Sequence, residues 1–191
     1  MTMRRVAVGA VGVILLGGLI VGCGSTKETG EPGANGAGSV SESNGSKAAA
    51  PKDLCKNITA ADLAPILGGP VTTEVGPTGD CEFAQDDPRA LSGSVGVVPS
   101  AQTNGGFEAY LTGLTLMLDS PTKHPISGLG EQSTVYVGMP KMGSGENLMA
   151  GGVTDYGGYM MQVTLTQGQG IPEAKMIEAA EKILRLADSN R

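Results

Sequence analysis

Only one imidazole is available for proton-transfer chemistry in this chain. His124 is the sole histidine among 191 residues, so a Ser-His-Asp or Cys-His mechanism would have to pass through it. It stands beside Pro125 in a turn-like stretch and no serine occupies a nucleophile-elbow pattern, so His124 reads as a loop residue and no catalytic residue is assigned. The carboxylates add little. Asp86 and Asp87 adjoin Pro88 as a solvated turn, while Asp80 and Glu82 flank Cys81 and should point to one strand face without forming a glycosidase pair. Gly128-Leu129-Gly130 lacks a third glycine in register, and Gly143-Ser144-Gly145 lacks a following Lys-Ser or Lys-Thr, so both read as turns rather than phosphate loops. Asn57-Ile58-Thr59 matches a glycosylation acceptor, although Thr59 has a better use as a helix cap. Methionine is the enriched type: Met139, Met142, Met149, Met160 and Met161 fall within 23 residues. Thioethers select Cu(I), but methionine also fills apolar sheet faces, and no second histidine or free thiolate joins these residues. No metal or cofactor is therefore assigned, and Cu(I) handling through Met139, Met142 and Met149 stands as a rival reading. Without tryptophan, the tyrosines and two phenylalanines give no clear sugar-stacking platform.

The three cysteines carry more. Arg4 and Arg5 precede an uncharged apolar run from Val6 to Gly22, the layout of a secretory signal. That run has 17 residues, five of them glycine, against the roughly 20 good helix formers that a membrane span needs. Ile20, Val21 and Gly22 lead into Cys23, and this site resembles the lipobox of bacterial lipoproteins, in which the cysteine sulfur takes a diacylglycerol before cleavage. Two acyl chains suffice for stable attachment, since each buried methylene contributes about 0.8 kcal/mol. Lipidation at Cys23 leaves Cys55 and Cys81 in an oxidising compartment, where they should form a disulfide; a metal pair is the alternative, and no soft or imidazole cluster stands near them. Removing residues 1–22 takes two of the 13 basic residues, leaving 11 against 19 acidic ones and a net charge of −8. Such a chain is a poor binder of nucleic acid or anionic lipid.

These residues must be carried by recognisable elements. From Gly24 to Lys52 the chain is rich in Gly, Ser, Ala, Asn and Glu, with Val40 its only large aliphatic residue, so residues 23–52 read as a lipidated cysteine and disordered tether. Residues 53–191 are one domain's worth. Thr59 and Asp62 form a capping-box pattern, with Ile58 facing Leu63, Pro65 inside the helix and Gly68 ending it. Strands are expected over 71–75, 79–85 and 92–99, then a helix over 106–118 with Phe107, Tyr110, Leu111, Leu114, Met117 and Leu118 at helical spacing. A second strand group covers 132–138, 146–153 and 156–167. Pro172 opens a last helix whose stripe is Met176, Ile177, Ala180, Ile183, Leu184 and Ala187. This order predicts a single α+β domain, mainly antiparallel, with about three packed helices and one disulfide.

Together the lipobox, the polar linker, Cys55-x-x-Ile58-Thr59 running through Leu63 to Leu67-Gly68, Cys81-Glu82-Phe83 and Gly128-Leu129-Gly130-Glu131 resemble a family. It is that of small actinobacterial lipoproteins of unknown function carrying the domain of unknown function numbered three-five-five-eight. The chain departs from it at Phe83, where tryptophan is more usual, and at Ser133, where alanine often follows the turn. The resemblance implies an exported, disulfide-linked α+β domain without an established activity. The reading from residues is a lipid-anchored, non-enzymatic lipoprotein at the outer face of the cytoplasmic membrane, attached through Cys23. Its domain would bind an envelope protein or a small ligand and no nucleic acid. A carrier or sensor of an apolar ligand is the second reading.

Overall fold

The first full helix begins where the sequence places it. In this computed structural model, which describes residues 49–142, 147–166 and 170–191, Thr59 caps helix α2, Ala60–Leu67. Its hydroxyl accepts from the Asp62 amide at 3.3 Å and the Asp62 carboxylate accepts from the Thr59 amide at 3.1 Å, so two otherwise orphaned donors are satisfied reciprocally. A one-turn helix, α1, Leu54–Asn57, precedes it. Ile58 and Leu63 are both fully buried in the main core, as a staple requires. Hydrogen bonding from Thr59 holds the Asp62 carboxyl below the usual carboxylate range. A depressed carboxyl contributes stability that is present above its unfolded value and lost as the pH falls through its folded one. Thr59→Ala is therefore expected to lower the melting temperature by a few degrees at neutral pH. That difference should shrink in melts run as the pH falls below the ordinary carboxylate value of 3.8.

The last helix, α4, Glu173–Ser189, buries Met176, Ala179, Ala180, Ile183, Leu184 and Ala187 and turns the Glu178–Lys182 and Glu181–Arg185 pairs to solvent. It lies on an antiparallel sheet of seven strands: β1 Thr72–Val75, β2 Cys81–Ala84, β3 Ser92–Pro99, β4 Leu118–Pro125, β5 Gln132–Pro140, β6 Met149–Asp155 and β7 Tyr159–Thr166. Their order is β1-β2-β3-β7-β6-β5-β4. Two meanders, β1 to β3 and β4 to β7, are thus zipped together by β3 and β7, in register from Ser92 opposite Thr166 to Pro99 opposite Tyr159. Helix α3, Gly106–Thr115, connects them. The α+β class, the antiparallel sheet and the disulfide are as the sequence predicts.

One face of the sheet carries Phe83, Val95, Val135, Val137, Met161, Val163 and Leu165 into the main core under α4, which α2 also joins. The opposite face carries Tyr136, Val153 and Met160 into a smaller core capped by Phe107 and Leu111 of α3. At the C-terminal end of α4 the Tyr156 hydroxyl donates to Asp188 at 2.8 Å, Arg191 lies 4.2 Å over the Tyr156 ring, and Asn190 donates to the Asn57 carbonyl at 3.0 Å. Burial, then the Asp188 contact, pushes the Tyr156 hydroxyl up.

Two expectations need correction. Helix α3 stops at Thr115, whose hydroxyl bonds back to Leu111 and Thr112 carbonyls, rather than running to Leu118. The stretch holding His124 is strand β4 rather than a loop. Its sequence, "LDSPTKHP", has two prolines and no alternation, because β4 is an edge strand with a register shift between Asp119 and Thr122, where prolines cost no ladder bond.

Candidate functional site

Strand pairing and helix coverage together create the site. On the far face of the sheet α3 packs over β4 and β5 and reaches Val153 of β6 and Met160 of β7. There the Tyr136 side chain occupies the space above Gly151, where a β-carbon would lie 2.3 Å from the tyrosine oxygen. Burial, then neighbouring Tyr110, pushes the Tyr136 hydroxyl up to about 12, and burial also raises Tyr110. Tyr110 donates its hydroxyl hydrogen bond to Gln162 of β7. Beyond Gln162, the part of this face formed by Thr164 and Thr166 of β7, Ser92 and Ser94 of β3, Glu82 and Ala84 of β2 and Thr72 and Glu74 of β1 has no helix over it among the described residues.

Its side chains follow from the register. Glu74 stands opposite Glu82, Glu82 opposite Ser94, and Ser94 opposite Thr164, forming one polar row across four strands. The next row runs Thr72, Ala84, Ser92 and Thr166, with the Ser92 and Thr166 hydroxyls 2.9 Å apart. The alternate residues Phe83, Val95, Val163 and Leu165 point into the main core, as the two-residue period of a strand demands. These rows line an open concavity of about 510 Å³. Among the described residues, Glu74 and Glu82 have no cationic partner, although like charges directly opposite one another destabilise a sheet. Asp80 and Glu82 point to one side as expected and meet over Gly76, and Thr78 donates to Asp80 at 2.5 Å. Hydroxyls that donate and accept, beside carboxylates that only accept, suit a hydroxylated or cationic ligand.

The other predicted residues are distributed around this face. Cys55 of α1 and Cys81 of β2 form the disulfide, with α-carbons 4.9 Å apart, so the bridge sits next to Glu82. His124 lies on β4, its Nε2 3.3 Å from the Thr122 hydroxyl, which donates to Glu173 of α4 at 2.9 Å. Glu173 therefore meets the hydroxyl itself and lies 3.9 Å from that same ring nitrogen, whereas an orienting acid engages the far nitrogen. The arrangement clasps an edge strand to the first turn of α4. Met139 and Met149 stand on opposite faces of the sheet, Met149 packing into the α3 core and Met139 beside Val137, while Met142 is exposed. Gly128-Leu129-Gly130 is a turn that buries Leu129 and sets the Glu131 amide on the Asp155 carbonyl at 2.8 Å. Among the described residues no group of three or more His, Cys, Asp or Glu side chains converges as a metal site, and no helix is long and apolar enough to cross a membrane. Cys23 and Gly143-Ser144-Gly145 lie outside the described residues.

No protein-family model matches the chain, and no curated protein is significantly similar to it.

The bare face was only half legible beforehand. Gln162, Thr164 and Thr166 alternate in the sequence with Met161, Val163 and Leu165, but which outward residues α3 would cover could not be read from strand patterns. Ser92 and Thr166 meet across 74 residues of sequence.

Proposed function

We propose that this chain is a lipid-anchored lipoprotein of the outer face of the cytoplasmic membrane, attached through Cys23, whose folded domain is a non-enzymatic binding module. The family resemblance, with residues 1–22 as signal and 23–52 as tether, belongs to the same reading. The observation that carries it is the open half of the sheet face: Glu74, Glu82, Ser94 and Thr164 stand in one polar row along a concavity, and among the described residues the two carboxylates have no cationic partner. Its lining supports a polar, hydroxylated or cationic envelope ligand, presented by a larger envelope partner or free, over the apolar cargo of the second reading. The ligand would hydrogen-bond across the strands as the hydroxyls of the face already do between Ser92 and Thr166.

The test is amide chemical-shift mapping of the labelled domain against fractionated envelope glycans and basic peptides. Perturbations are expected at Glu82, Ser94, Thr164 and Thr166. Ser94→Lys is expected to weaken that binding about tenfold, the loss of one good polar contact, with an unchanged circular dichroism spectrum. Perturbations confined elsewhere, or turnover of an envelope substrate abolished by one substitution, would overturn the proposal.

A further inference from the structure

Five large apolar side chains are strongly exposed among the described residues, and four of them share one end of the sheet. Leu116, Met117, Met139 and Met142 are 63%, 59%, 40% and 81% exposed. Backbone pairing brings their two segments together: Leu118 is opposite Pro140, Asp119 opposite Met139, and the Lys141 amide donates to the Met117 carbonyl at 2.9 Å. Within residues 116–119 and 139–142, Asp119 and Lys141 supply one charge of each sign, so these two segments carry no net charge, with Glu173 of α4 on the flank beside Met139. Exposed apolar clusters of this kind mark interaction sites, and unbranched thioethers adapt to an irregular or fluid partner surface.

We infer that this tip seats in the surface of the bilayer that carries the chain's own anchor, and so orients the domain. The inference rests on acylation of Cys23. From Cys23 to Ala49, the first described residue, there are 26 residues, a length that can span at most about 90 Å. The chain comes into the domain at Pro51, beside Val97 and Val98 of β3. From there the tip is about six residues along the strands and three strands across, roughly 25 Å. Anchor and tip therefore reach the same membrane. Once tethered, the tip meets lipid at an effective concentration that a freely diffusing partner does not match. A few apolar side chains that could not hold a protein at a membrane from solution then suffice to set its orientation. The contact is apolar, so it needs none of the basic surface that an acidic chain lacks. Because the tip is at the strand ends, seating it stands the strands across the membrane plane and leaves the polar face of β1, β2, β3 and β7 open to the side.

The test uses the acylated full chain with Met142→Cys, which supplies a free thiol beside the bonded Cys55 and Cys81. An environment-sensitive fluorophore is attached there and the protein reconstituted in vesicles of phosphatidylcholine and phosphatidylethanolamine, with and without bromine in the acyl chains. The expected result is blue-shifted emission, quenched by the brominated lipid and insensitive to salt. A label on Thr78→Cys, in the turn at the opposite end, should stay water-like. Adding Leu116→Glu and Met117→Glu should abolish the shift and the quenching while circular dichroism and vesicle retention are kept. Water-like, unquenched emission at position 142, with the acyl mass on Cys23 confirmed, overturns the inference and points to a protein groove or to Cu(I) as the occupant. A second arm replaces residues 1–23 by a histidine tag held on nickel-chelating lipid. Quenching in that arm without acyl mass on Cys23 in the native chain refutes the anchor while upholding the tip; no quenching in that arm refutes the tip.

Discussion

Replacing Cys55 and Cys81 together by alanine lowers the stability of the folded domain by about 3.5 kcal/mol, the chain-entropy value for closing a loop with a sequence separation of 26. For a domain of this size that corresponds to a fall in melting temperature of roughly 10 °C. The location of the bridge makes the full value the expectation. Cys81 is completely buried in β2, and Cys55 belongs to the single turn of α1, which is too short to hold itself in place by its own hydrogen bonds. Beyond the bridge, that turn is fixed mainly by Leu54 and by Ile58 just after it. The β1 and β2 ribbon is at the margin of the sheet, paired to the rest only through β3. Freed of the bridge, both can fray without the central strands opening, and Glu74 and Glu82 move with them. The paired alanine variant should therefore lose affinity for any ligand of the polar face as well as stability. Thermal melts of the parent with and without a reductant check the first part, and a melting temperature unaffected by reduction would defeat it.

Elements whose cause is local were legible in the sequence. The Thr59 and Asp62 pattern became a capping box with both reciprocal bonds, and the stripe of α4 became its buried face with Ala179 added and Ile177 only half-buried. Both depend on residues within one or two turns of each other. Strand β4 was missed because an edge strand answers to one neighbour only: its prolines and its bulge are allowed by the absence of a second partner, which is a property of the whole sheet. The candidate face was only half legible for the same reason. A Ser or Thr on the outer side of a strand looks alike whether a helix covers it or water does, and the placement of α3 depends on Phe107 and Leu111 finding Tyr136, Val153 and Met160. The cysteine pair was legible because oxidised pairing is a matter of counting, once Cys23 is set aside. The apolar tip was half visible as Met139-Pro140-Lys141-Met142; Leu116 and Met117 joined it only when α3 ended early.

Gly130→Ala is expected to destabilise the domain by about 3 kcal/mol or more, whereas Gly128→Ala, two residues away in the same turn, should cost about 1–2 kcal/mol. Both glycines adopt left-handed backbone angles, φ +57° at Gly130 and +72° at Gly128, so each substitution carries the conformational penalty of an L-residue there. Only Gly130 is also hemmed in. A β-carbon on it would lie 2.3 Å from the Asp155 carbonyl oxygen and 2.5 Å from the Thr154 methyl, while one on Gly128 would meet nothing within 4 Å. The Asp155 oxygen is the acceptor of the Glu131 amide, so the alanine cannot be relieved by moving a side chain: the turn must withdraw from β6 and that bond must stretch. Withdrawal also lifts Leu129 from the main core, and it strains the Ser127 carbonyl that Arg185 of α4 binds at 3.3 Å. The turn closes the end of the sheet opposite the apolar tip, so neither variant touches the tip, and the shared left-handed penalty cancels in the comparison. Denaturant melts of the two variants side by side then isolate the close approach. Equal losses would show that backbone conformation alone explains these glycines, and that Gly-Leu-Gly has no packing role against β6.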